Sequence, residues 1–137
     1  MAARLRARWA GLPPWARWVL AGYLIGFTDG SLAHWRDVAG GGIHAYASWP
    51  PPIQVFLVGL VIVDPLVVVL VACVRREGVW LAAGVMVLDI AANWIGNWPR
   101  LHTDPATLLR PSGLLPIAVF GLFVLLTAPA LLRVMKN

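Results

Sequence analysis

The chain has 137 residues, 60% of them hydrophobic and only 12% charged, with a mean hydropathy of +0.77 and a formal net charge of +5. A composition this apolar argues against an ordinary soluble enzyme or a disordered chain, and the length allows one small domain. The single cysteine, Cys73, excludes an internal disulfide and a thiolate metal cluster, and the basic residues flank apolar segments without forming the polar, aromatic stripe that binds nucleic acid.

An arginine-rich start, Arg4, Arg6 and Arg8, leads into a first apolar stretch at residues 15–33, interrupted by Asp29. The basic start and Ser31-Leu32-Ala33 imitate a cleavable signal peptide, but the run holds an aspartate and is long enough to span a bilayer. Gly22, Gly26 and Gly30 recur at every fourth residue, a flat groove that serves either packing within a bundle or a homodimer. A loop from residue 34 to residue 52 follows, with Gly40-Gly41-Gly42 and Pro50-Pro51-Pro52, and reads as a mobile outer segment able to act as a lid.

The second apolar stretch, residues 53–74, carries Asp64 beside Pro65, and the proline predicts a kink and a free Val61 carbonyl at that depth. The turn at residues 75–78 is so short that the third stretch, residues 79–98, must be its antiparallel neighbour. That third helix bears Asp89, Asn93 and Asn97 four residues apart, on one slowly rotating face, with Trp94 and Trp98 beside it. A loop with His102, Asp104, Pro105 and Pro111 leads to the fourth stretch, residues 114–132, whose irregular features are Thr127 and Pro129.

Each stretch is close to the roughly twenty residues that cross hydrocarbon as a helix. The expected fold is therefore all-α, an integral membrane bundle of four helices. Arg4, Arg6, Arg8, Arg17, Arg75, Arg76, Arg133 and Lys136 fall on one side and only Arg36, Arg100 and Arg110 on the other. The positive-inside rule then puts both termini in the cytoplasm. Arginine over lysine and abundant Ala, Gly, Val and Trp point to a GC-rich bacterial source, hence the bacterial cytoplasmic membrane.

Counting from the cytoplasmic charges at the helical rise sets Asp29, Asp64 and Asp89 all at roughly 16 to 18 Å from the inner boundary. A carboxylate at mid-bilayer costs about 2.5 to 3.5 kcal/mol on insertion scales, so three on one level predict a pocket between helices. Carboxyls crowded in low dielectric cannot all ionise. A protonated acid beside a carboxylate, walled by aromatic faces, suits protonating an alkene and removing a different proton, and equally suits holding an amine-bearing lipid as counter-ion. No spacing of His, Cys or carboxylate on a helix fits a metal, no Gly-rich loop fits a phosphate, and no cofactor is implied.

The order of these features resembles the EXPERA superfamily, the four-helix membrane domain of the emopamil-binding protein and other sterol-isomerase-like relatives. "GYLIGFTDG" is similar to that family's first helix, ending in an acid and a glycine. "DPLVVVLVACVRREGVWLAAGVMVLDIAANWIGNW" is similar to its Pro-kinked second helix, basic turn and third helix, and "FVLLTAPALLRVMK" to its fourth. Three features depart: Ile25 stands where the isomerase has a histidine, Asp64 adjoins its proline, and no asparagine or tryptophan lies between Ile117 and Leu126. The resemblance implies that Asp29 takes the place of the catalytic carboxylate.

The expected function is a small membrane enzyme that isomerises or cyclises an isoprenoid or sterol-like lipid by proton transfer. Asp29 is the expected proton donor or acceptor, Asp64 and Asp89 its partners, and Asn93 the orienter. Tyr23, Phe27, Trp94, Asn97 and Trp98 are the expected substrate wall. The alternatives are a lipid- or amine-binding protein without chemistry and a proton-coupled carrier.

Overall fold

The computed structural model describes residues 1–110 and 113–135; Pro111 and Lys136, counted above in the third loop and the basic end, lie outside the described residues. The elements are α1 (Ala2–Ala10), α2 (Pro14–Gly41), α3 (Pro51–Ala72), α4 (Arg76–Thr103) and α5 (Leu114–Val134), with short 3-10 turns at Gly42–His44 and Pro105–Leu108. The described residues are thus all-helical. Three helices, α3, α4 and α5, are long and apolar enough to cross a membrane, which points to an integral membrane protein. α2 is as long as α4, but Asp29, His34, Arg36 and Asp37 interrupt its apolar run.

Prolines set the helix starts. Pro14 occupies the first turn of α2 behind an extended Pro13, and Pro51 does the same for α3 behind Pro50. Their missing N–H groups are ones a helix start leaves unpaired in any case. The end of α3 is a Schellman turn, in which Arg75 N–H donates to Leu70 O at 2.9 Å and Val74 N–H to Val71 O at 2.9 Å. The left-handed residue there is Val74, at φ 53°. Gly78 then lets α4 start against the Leu70–Val71 backbone, where a Cβ would come within 2.8 Å.

Two expected boundaries move. The glycine run was read as loop, but α2 continues through Gly40 and Gly41 and stops at Gly42, at φ 60°, so His34 to Asp37 are helical. The third apolar stretch ends at residue 98, but α4 carries Pro99 internally and runs to Thr103. A helix tolerates these residues when neighbouring helices support it, which single-residue propensity does not register.

α1 is an element the sequence reading passed over. It lies across the C-terminal end of α3, with Trp9 Nε1 donating to Ala72 O at 2.8 Å and an Arg8 Nη1 to Cys73 O at 2.9 Å. Carbonyls at a helix end lack intrahelical partners and carry the negative end of the dipole, so an indole N–H and a guanidinium suit them. Arg17 fixes the α1–α2 corner by donating to Leu12 O at 3.0 Å and Ala10 O at 2.9 Å.

The four long helices pack in a ring: α2 against α3, α3 against α4, α4 against α5, and α5 back against α2. Where lipid surrounds helices, burial of apolar side chains gives little drive for association, and small residues that admit a neighbour's side chain matter more. The glycine face of α2 works this way inside the chain. Gly26 receives the Phe120 ring, and a Cβ at Gly22 would meet Phe123 at 3.1 Å. Tyr23, Phe27, Phe120 and Phe123 close this seam, with Tyr23 and Phe123 edge to face at 5.8 Å and Phe27 and Phe120 at 5.5 Å. Gly121 of α5 in turn receives Ile90 of α4.

Gly26→Ala puts a methyl where the Phe120 ring sits, and the expected loss is about 1–3 kcal/mol, read as a lower thermal midpoint in detergent. Phe120→Leu in the same background is expected to recover part of it. An unchanged midpoint for the single variant would contradict the packing of this seam.

Candidate functional site

The polar side chains of the bundle gather where α2, α3 and α4 meet, towards the end of the bundle that carries the α2–α3 connection. Asp64 is 4% exposed on α3 and Asp89 is partly buried on α4, close enough for the charge of Asp89 to act on Asp64. Antiparallel α3 and α4 bring them together as the short turn required. On the α2 side a Cβ at Gly30 would meet Asp64 Oδ2 at 3.4 Å, so the glycine gives this carboxyl its room. Among the described residues no hydrogen bond is formed to the Asp64 side chain.

Asp89 is held more firmly. Asn93 Nδ2 donates to Asp89 Oδ1 at 2.9 Å and to its backbone O at 3.0 Å, and Asn97 Nδ2 donates to Asn93 O at 2.9 Å. The stripe at i, i+4 and i+8 therefore forms a hydrogen-bonded ladder along α4. Trp94 is partly buried beside it, while Trp98 is 55% exposed and packs edge-on to His102 at 4.9 Å.

Asp29 is not brought to this group. It is exposed on the outward face of α2, where Leu24, Ile25, Thr28, Asp29 and Leu32 line an open depression of about 430 Å3. Successive residues of an α-helix differ by about 100° in direction. Gly30 faces Asp64, so its neighbour Asp29 turns away. Equal depth placed the three aspartates on one level but left their directions open. Tyr23 and Phe27 likewise belong to the α2–α5 seam, and the Tyr23 hydroxyl donates to Val124 O at 2.7 Å, 3.0 Å from Thr127 Oγ1.

The structure also brings residues of the expected mobile loop to this end of the bundle. Tyr46, 8% exposed, donates its hydroxyl proton to Asp37 Oδ2 at 2.7 Å, and His34 Nδ1 lies 2.9 Å from the Tyr46 hydroxyl oxygen. Because that proton is given to Asp37, the contact with His34 assigns a hydrogen to Nδ1. Trp49 seats its ring on Gly96 of α4 and packs edge to face with Tyr46 at 5.9 Å. Gln54 Nε2 fixes the Trp49 carbonyl at 2.7 Å. The segment expected as a mobile lid is thus packed against α2 and α4. Reading Gly40 and Gly41 as helix would have found this group, since Gly30, His34 and Asp37 then follow on one face.

Among the described residues no three His, Cys, Asp or Glu side chains form a group able to hold a metal. The arrangement offers two neighbouring carboxyls from different helices, an amide that orients one of them, and an aromatic cover. Such a pair can share, take up or release a proton, or face a cation. No family model, no curated protein and no solved structure matches the chain.

Outside the apolar stretches, burial holds the His34 imidazole below its usual value against a smaller opposing effect of Asp37, and burial together with Asp37 pushes the Tyr46 phenol up. The unfolded chain takes up the His34 proton near pH 6.5, and the folded protein takes it up at a lower pH. In the window between, the unfolded state holds more protons, so stability falls as pH drops below about 6.5 and the loss is complete below the folded value. The thermal midpoint is expected to decline from about pH 7 to about pH 5, and His34→Gln is expected to flatten that decline. An identical slope in the variant would contradict the burial of a neutral His34.

Proposed function

We propose that this chain is a small membrane enzyme acting on an isoprenoid or sterol-like lipid, with Asp64 and Asp89 as the acid–base pair and Asn93 as the residue that orients Asp89. All four long helices cross the bilayer in this reading, with both termini on the cytoplasmic side of a bacterial membrane. Residues 15–33 of α2 reach about 28 Å at the helical rise, close to the hydrocarbon thickness, and His34 to Gly41 continue beyond it. Its basic residues Arg17 and Arg36 lie towards its two ends.

One observation carries the reading. A carboxyl 4% exposed stands within electrostatic reach of a second one, in a bundle built from helices apolar enough for a membrane. Ionisable groups at such depth are costly and mark function. A carboxylic acid able to donate next to a carboxylate able to accept is what a double-bond shift through a carbocation needs, since one proton is added to the alkene and another removed from a neighbouring carbon. A bundle wall of Leu, Val and Ile suits an isoprenoid chain and excludes water from the cation. Asp29, on the outward face, has no part in this step.

The test is turnover in heavy water. Purified protein in vesicles containing polyprenyl or sterol lipids is expected to place deuterium in a lipid product detected by mass spectrometry. Asp64→Asn and Asp89→Asn are each expected to lower the rate by about a hundredfold or more, the scale of one general acid or base, while Asp29→Asn retains it. Deuterium incorporation unchanged in both variants of the pair would overturn the assignment.

A further inference from the structure

Three elements meet above the acid pair. On α2, Gly30 faces Asp64, and His34 and Asp37 continue that face by one and two turns towards the outer end. On α4, Asp89 and Asn93 are followed on the same face by Gly96, whose missing side chain admits the Trp49 ring. Between them the connecting segment brings Tyr46 edge-on to Trp49 at 5.9 Å and into hydrogen bonds with His34 and Asp37. The charge of Asp89 reaches the Tyr46 hydroxyl as well.

The exposure along this line is graded. Asp37 is exposed, Tyr46 is 8% exposed and Asp64 is 4% exposed. The Tyr46 hydroxyl is bonded to a carboxyl in contact with water and lies within reach of the charge of Asp89 inside the bundle. Among the described residues the ionisable groups on the elements around it are few. α2 carries His34 and Asp37 on this face, α3 carries Asp64 and α4 carries Asp89; the ionisable residue described on α5, Arg133, lies in its last turn at the inner end. Arg36, His44 and Arg100 are exposed at the outer rim.

We propose that Tyr46 is the relay through which the Asp64–Asp89 pair exchanges protons with the outer aqueous phase, with Asp37 as the entry group and His34 holding the hydroxyl in position. This rests on the pair handling a proton, as proposed above. In the inward step a proton taken from water by the Asp37 carboxylate passes to the Tyr46 oxygen, while the hydroxyl gives its own proton towards Asp89. Asp37 returns to the carboxylate, Tyr46 keeps one hydrogen, and the pair gains one. His34 donates from Nδ1 to the phenol oxygen throughout and changes no charge. Tyr46 and His34 are relay and positioning residues, since neither is argued to touch a lipid.

Infrared spectroscopy tests this without a known substrate. The C=O stretch of a protonated carboxyl inside the bundle is identified by its loss in Asp64→Asn or Asp89→Asn. The rate at which that band shifts after transfer to heavy water reports proton exchange with the outside. Tyr46→Phe, which keeps the ring against Trp49, is expected to slow the shift by at least about tenfold, a barrier rise of roughly 1.4 kcal/mol. Asp37→Asn is expected to slow it as well, and His34→Gln to slow it less. Asp29→Asn is expected to leave it unchanged. A rate unaltered in both Tyr46→Phe and Asp37→Asn would overturn the relay while leaving the acid pair in place. A carboxyl band absent at every pH, or unaffected by both variants of the pair, would overturn the pair and the relay with it.

Discussion

A helix in hydrocarbon cannot leave a polar group for water to satisfy, so each one must find its partner inside the protein. Most side chains here obey. Tyr23 and Thr127 bond across α2 and α5 onto carbonyls a turn before Pro129, Asn93 and Asn97 bond along α4, and Trp9 with Arg8 covers the carbonyl end of α3. Three groups stand apart from that settlement: Asp29 on the outward face of α2, Thr107, whose buried hydroxyl has no partner among the described residues, and Asp64. Of these Asp64 is the buried carboxyl, set against the backbone at Gly30. A proton or a cation is what such a group calls for, which is why the functional reading starts there.

The same glycines that hold the bundle together also build the site. Gly22 and Gly26 set α2 against α5 by admitting Phe123 and Phe120, which fixes the rotation of α2 about its own axis. That rotation turns Gly30, and with it His34 and Asp37, towards α3 and α4, and turns Asp29 outward. On α4, Gly96 takes Trp49 and so draws the connecting segment down over Asp89. Packing and chemistry are linked through helix azimuth, because a glycine notch decides which of two adjacent residues faces the interior.

The four long helices were legible in the sequence because apolar runs near the length of a bilayer crossing and short polar turns leave few alternatives. Asp64, Asp89 and Asn93 were legible too, since depth along a helix and a four-residue spacing are both countable. Two things were not. Direction around the axis depends on which neighbour a face meets, and no counting from Arg17 could tell Asp29 from Gly30. The outer group was hidden by local propensity: three consecutive glycines read as a loop, which separated His34 and Tyr46 from the bundle they pack on. Gly40 and Gly41 are exposed, and α2 carries them on to the left-handed Gly42, since a glycine costs a helix only about 1 kcal/mol. α1 was missed for a related reason, since its arginines were read as topology signals before Arg8 and Trp9 could be seen capping α3.

The central claim is that Asp64 and Asp89 act as one proton-handling unit across α3 and α4. Infrared titration of the carboxyl bands in wild-type protein and in each single asparagine variant tests it most directly, because coupled groups titrate as a pair. The account predicts that removing the Asp89 carboxylate moves the pH at which the Asp64 band titrates, and the reverse. An Asp64 band that titrates at the same pH in wild type and in Asp89→Asn would contradict it.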